Sequence, residues 1–200
     1  MTIYIVWSKP YLRSVTNCLI ANMATADLIM TFSAMPYVVA YTFIQTRWFG
    51  GVLGTVTCKL LMFSVPLSVA ASIFSLVVIA LDRFFAVVYP FNRPKVIRKI
   101  SVMSSIVWAL SILFASPYLY SHKMILGKDN NYHCVPQWEP PIADHSKASR
   151  TFFIFIFVSL YLVPLFLIAI FYSIVSLKLW VRRIPGNPSV TNIRHAEASK

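Results

Sequence analysis

The chain is 200 residues long, 58% hydrophobic and only 12% charged, and its eighteen Lys and Arg outweigh six Asp and Glu to leave a net charge of +12. Soluble domains carry about 25% charged residues, so this composition excludes an ordinary water-facing surface and points to lipid as the solvent. The basic balance does not make a nucleic-acid binder, because the bases lie in gaps between apolar runs and no stacking platform accompanies them.

In chain order, Met1-Thr2-Ile3-Tyr4-Ile5-Val6-Trp7 has neither a basic leader nor a small-residue cleavage site. No secretory signal peptide is read there, so insertion is expected to rely on internal spans. These opening residues read as the end of a span and the closing ones as a basic, polar segment, which makes a partial chain the expectation. Four later runs reach the roughly 20 apolar residues that cross a bilayer: 15–43, 55–88, 100–120 and 151–181. Pro36, Pro66, Pro117 and Pro164 fall within or near the ends of these runs, where membrane helices tolerate them.

The first run is broken only by Asp27, in "NCLIANMATADLIM". An ionised carboxylate at that depth costs at least about 2.5 kcal/mol. Asp27 is therefore expected to face a bundle interior, either binding a small cation such as sodium or titrating during a conformational change, or else protonated and hydrogen-bonded. Asn17 and Asn22 are expected to bridge to neighbouring helices, and Ala21, Ala24 and Ala26 to allow close contact. Cys18 reads as a small buried hydrophobe.

The second run contains the small-residue cluster "SVAAS" (Ser68 to Ser72) and ends in "IALDRFFAVVYPF". Asp82 and Arg83 are neighbours in a helix, so their side chains diverge by about 100° and any pairing needs the guanidinium to fold back. The plain reading is an interface pair with a snorkelling Arg; the functional one is a breakable switch. Phe91, an apolar residue in a polar connector, invites either a partner protein or packing on its own bundle.

The third and fourth runs carry no charge across their cores, and "FFIFIF" (Phe152 to Phe157) reads as lipid-facing bulk. His122, His133, His145 and His195 lie in connectors without metal-ligand spacing and read as loop histidines. "IPGNPS" (Ile184 to Ser189) reads as a flexible linker, and residues 183–200 as a cytoplasmic segment.

Orientation follows from the connectors. Lys9, Arg13, Arg93, Lys95, Arg98, Lys99, Lys178, Arg182 and Arg183 gather on one side. Arg47, Lys59, Lys123, Lys128, Lys147 and Arg150 gather on the other, diluted by Asp129, Glu139 and Asp144. The more basic side is expected to be cytoplasmic. Cys58 and Cys134 then both face the oxidising compartment, where a disulfide between them is expected.

Taken in order, these residues resemble the rhodopsin-like family of G-protein-coupled receptors. "NCLIANMATADL" is similar to the family's second-helix signature, "RWFGG" with Trp48 to its first outer loop, and Cys58 to the start of its third helix. "LDRFFAVVYP" is similar to its Asp-Arg-Tyr motif and following loop, with Phe84 in place of the usual Tyr. Trp108 matches the fourth-helix tryptophan, Cys134 the loop cysteine, and Pro164 with Tyr172 the fifth-helix pair. The resemblance implies an all-α, polytopic transmembrane helix bundle. Residues 1–182 would hold helices two to five of seven and the end of the first, with 183–200 in the third cytoplasmic loop. It implies a multi-pass plasma-membrane receptor and not an enzyme, with an extracellular ligand, a heterotrimeric G protein and the lipid bilayer as partners. No cofactor is implied beyond an allosteric sodium ion.

The resemblance also implies roles. Arg83 would be held by Asp82 at rest and released to the G protein, and Phe91 would insert into that protein. Asp27 and Ser72 would contribute to the sodium site. Ile73 and Pro164 would relay ligand binding, and Tyr172 would stabilise the active arrangement. Amine receptors of the family carry an Asp where this chain has Val65, so an ammonium ligand is disfavoured. "HCVPQWEPP" looks like neuropeptide receptors of the RFamide, orexin and tachykinin type. Tyr37, Tyr41 and Trp138 are expected to line an outer vestibule, or else to form an interfacial belt, with Val65, Pro66 and Val69 at the pocket floor. The alternative is a transporter or channel subunit with Asp27 on an ion path. That reading favours repeat symmetry, which the sequence lacks.

Overall fold

A computed structural model describes Tyr4 and residues 14–45, 47–91, 94, 97, 99–128, 130–138 and 145–182. Residues 183–200, expected as a cytoplasmic segment, lie outside these, as do Arg93, Lys95 and Arg98.

Helix α1 runs Val15–Ile44 and starts at Ser14, whose hydroxyl accepts the Asn17 N–H at 3.2 Å. This cap satisfies one of the amides that a helix start leaves orphaned. Helix α2, Gly51–Val88, is 38 residues long, or about 57 Å at 1.5 Å per residue. It is the central post, packing against α1, against α3 (Ile100–Ser121) and against the last helix. Its buried positions are mostly small, including Gly54, Ser68, Ala70, Ala71, Ser75 and Ala80. Small residues let helix backbones approach closely in lipid. On α3, Met103, Val107, Ser111 and Ala115 are buried, a four-residue spacing that keeps them on one face.

The last span contains two helices, α4 (His145–Phe157) and α5 (Val163–Arg182), joined by a π-helical turn over Val158–Leu162. The Val163 N–H bonds back to the Val158 carbonyl, five residues earlier. Pro164 follows at once. It has no N–H, and its ring clashes with the carbonyl four residues earlier, that of Leu160. The widened turn relieves that clash without ending the helix.

Four helical stretches are long and apolar enough to cross a membrane: Val15–Phe43, Gly51–Val88, Ile100–Ser121 and Ser149–Trp180. The four expected spans stand, each within a few residues. Leu19, Ala26, Ala71, Ile79 and Val107 form a core among α1, α2 and α3, with Trp108 packed against it. Asn22 bridges from α1 to α3, donating to the Ser104 hydroxyl at 2.9 Å. Cys18, expected as buried, is half-buried and free.

The connectors at the Cys58 end are not simple loops. Strands β1 (Arg47–Trp48), β2 (His122–Leu126) and β3 (Tyr132–Pro136) form an antiparallel sheet in the order β1-β3-β2. Met124 lies opposite Cys134, and Trp48 opposite Tyr132. Asn130 turns the β2–β3 hairpin with φ of 60°, a left-handed conformation that Asn tolerates.

Candidate functional site

The two ends of α2 carry different chemistry, and Cys58 and Arg83 are separated by 25 residues of helix, about 37 Å. At the first end, Cys58 and Cys134 are joined in a disulfide with Cα atoms 6.0 Å apart. It fixes the central strand β3 to the first turns of α2. Trp48 donates its indole N–H to Thr57 at 3.1 Å and stacks on Phe49. The sheet is thereby held at its central strand and at its β1 edge.

Beneath the sheet is a cavity of about 650 Å³, within the usual size of small-ligand sites. Of the six residues expected at a ligand site, Tyr37, Val65, Pro66 and Val69 line it, and Ile73 closes its depth. Tyr41 and Trp138 do not. Tyr41 sits outside against Tyr37, ring centroids 6.1 Å apart, while Trp138 packs on Phe152 at 5.3 Å. Phe152 and Tyr118 extend that cluster, so "FFIFIF" is not wholly lipid-facing: its first ring joins the cluster, and Ile156 and Phe157 line the cavity.

The lining residues that were not anticipated include Tyr118, His122, Leu160 and Tyr161. Tyr118 and Tyr161 lie four residues or fewer from the prolines Pro117 and Pro164, which was the available signal. His122 corrects the expectation of a loop histidine. It is half-buried at the junction of α3 and β2, its ring parallel to that of Tyr118, centroids 5.9 Å apart. Its Nδ1 lies 3.2 Å from the Tyr118 carbonyl and 3.1 Å from the Ser121 hydroxyl. Burial pushes its pKa below the ordinary histidine value, and the bond to the Tyr118 carbonyl opposes this in part.

Midway along the bundle, the Ser72 hydroxyl donates to Asp27 Oδ1 at 3.4 Å. The two residues expected to share a site are brought together. Asp27, however, is exposed among the described residues rather than facing their interior. Asn22 turns to α3, and five residues on, Asp27 is rotated about 140° away. A carboxylate and a hydroxyl offer hard oxygen ligands of the kind that suit a small cation.

At the other end, Asp82 is 4% exposed while Arg83 points outward. Adjacent positions on the helix turn the two side chains about 100° apart. Thr16 of α1 links them: its hydroxyl donates to Asp82 Oδ2 at 3.3 Å and accepts from Arg83 Nη2 at 3.1 Å. Phe84 packs on Phe171 of α5, centroids 5.3 Å apart, and on Tyr89. Its apolar ring suits that aromatic nest. Lys178 of α5 donates to the Val88 carbonyl at 3.2 Å, one of the carbonyls a helix end leaves unsatisfied. Phe91 is fully exposed, Tyr172 is exposed at 45%, and Pro164 is buried.

Residues 1–198 match the family model described as 7 transmembrane receptor (rhodopsin family). The chain belongs to this family. It is a multi-pass membrane protein of a receptor family, not an enzyme. It is 27% identical over 204 residues to the pyroglutamylated RF-amide peptide receptor of Rattus norvegicus, covering 98% of this chain and 45% of the relative. It is 31% identical to neuropeptide FF receptor 1 of Rattus norvegicus, covering 98% and 46%. It is 24% identical to the tachykinin-like peptides receptor 99D of Drosophila melanogaster, covering 100% and 38%. The chain thus spans less than half the length of these rhodopsin-family relatives. The transporter or channel reading gains no support from them.

Proposed function

We propose that this chain forms the ligand-binding and coupling core of a plasma-membrane receptor for an extracellular peptide, transmitting binding to a heterotrimeric G protein. The observation that carries the reading is the cavity beneath the disulfide-tethered sheet. Among the described residues its lining is mostly aromatic and aliphatic and includes no carboxylate, with Val65 at the position where an ammonium would need one. A peptide with apolar side chains suits it; a biogenic amine does not. The names of the relatives, all peptide receptors, support the same class.

In this reading, ligand contact at Val65, Pro66 and Val69 shifts α2 against α5 through Ile73 and Pro164. The shift loosens the Thr16 link, frees Arg83 for the G protein, and lets Phe91 enter a pocket on that partner. Tyr172 holds the active arrangement. Asp27 and Ser72 supply a carboxylate and a hydroxyl to a sodium ion that favours the resting state. Each step is a bias on a two-state element.

The test is a calcium and cyclic-nucleotide assay in cells expressing the receptor, with panels of amidated peptides and biogenic amines. Amidated peptides are expected to signal and amines to be silent. A selective amine response overturns the peptide reading.

A further inference from the structure

We propose that His122 is a specificity-determining residue whose Nε2 accepts a hydrogen bond from a primary carboxamide on the ligand. The proposal takes its ligand class from the peptide-receptor reading above, but its geometry stands on the cavity alone. His122 Nδ1 faces the Tyr118 carbonyl at 3.2 Å. A carbonyl only accepts, so the proton of the neutral ring sits on Nδ1 and Nε2 keeps a bare lone pair. Among the described residues no hydrogen bond is made to Nε2. The ring is clamped by its parallel stacking on Tyr118 and by the Ser121 hydroxyl beside Nδ1, so that tautomer is held while His122 lines the cavity.

A fixed acceptor in apolar surroundings selects for a neutral donor. A ligand cation would need a carboxylate, and among the described residues the lining has none. A free C-terminal carboxylate would bring a second lone pair against the first and lose its hydration. A carboxamide offers N–H to His122, and its oxygen can accept from the Tyr118 or Tyr161 hydroxyls in the same lining. An aromatic side chain next to that amide would find Pro66, Leu160 and Val69.

The experiment uses the chain reconstituted in lipid nanodiscs with nitrogen-15 histidine, the His122 signal being assigned by its disappearance in His122→Phe. N-acetylphenylalaninamide is expected to shift the Nε2 resonance of His122, and N-acetylphenylalanine to leave it in place. His122→Phe keeps the stacked ring and is expected to bind the amide about tenfold more weakly, one neutral hydrogen bond. His122→Gln retains an acceptor and is expected to recover most of that loss. An amide that leaves the resonance unmoved overturns the proposal, as does an acid that moves it equally. Equal weakening in the Gln and Phe variants assigns His122 a structural role and also overturns it. A cell panel in which no amidated peptide signals would sink the receptor reading separately, with the nitrogen shift still deciding this site.

Discussion

The Thr16 hydroxyl donates to one charged group and accepts from another, so a single oxygen joins Asp82 and Arg83, which the helix turns apart. Removing it while keeping the shape withdraws one donor from a buried carboxylate. Such a loss costs about 1–3 kcal/mol. Thr16→Val is therefore expected to lower the thermal midpoint by several degrees, at roughly 2–4 °C per kcal/mol for a chain of this size. It is also expected to raise basal nucleotide exchange on a G protein, because Arg83 loses its tether. A melting curve and an agonist-free exchange assay check both. His122 makes a second prediction at this scale. Its folded pKa lies below the ordinary value near 6.5, so the unfolded chain takes up the proton first. Stability is then expected to fall as pH drops below about 6.5, levelling off once the folded ring protonates in turn. Melting at pH 7.5 and 5.5 should show the drop in the wild type and lose that part of it in His122→Phe. Neither Thr16 nor His122 was legible as a site residue in the sequence. A lone Thr near the start of a span and a lone His in a connector carry no pattern, and only the tertiary approach of α1 to α2, or of β2 to the cavity, gives them a role.

Among the elements, the membrane helices were legible because lipid enforces long apolar runs, and the span ends came within a few residues. The three-stranded sheet was not. "HKMIL" and "YHCVP" are five residues each, too short for periodicity to separate a strand from a loop, and their register shows only once they pair. The π turn was hidden too, although Pro164 marked its place. Gly54 shows how tightly the sheet end is built: a Cβ there would run into the backbone carbonyl oxygen of Phe49. That oxygen belongs to the main chain and cannot swing aside. Gly54→Ala is expected to destabilise the α2 start by about 1–3 kcal/mol, the usual range for overpacking. At Gly51, by contrast, a Cβ would meet nothing, but φ is +86°, so Gly51→Ala is expected to cost only the left-handed penalty of about 1–2 kcal/mol. Thermal midpoints of the two variants, with surface expression of each, check the pair.

At the scale of the whole molecule, α2 ties a disulfide-anchored sheet to a polar cluster about 37 Å away, and the function depends on each end holding its own structure. Opening the bridge by Cys58→Ser frees a chain separation of 76 residues, worth about 4–5 kcal/mol in the chain-entropy account. Surface expression is expected to collapse, and peptide binding with it. The opposite end separates coupling from binding. Arg83 is exposed, reaches only Thr16 among the described residues, and lies far from the cavity. Removing its side chain should therefore leave the cavity intact while deleting the cation that the proposed coupling requires. Arg83→Ala is expected to bind an amidated peptide within about threefold of the wild type, a difference under 1 kcal/mol, yet to lose its calcium or cyclic-nucleotide response. Thr16→Val supplies the control, since it removes the tether but keeps the cation, and its signalling should rise rather than vanish. If Arg83→Ala signals normally, the guanidinium is a snorkelling interface group, and the message must leave the bundle by another residue.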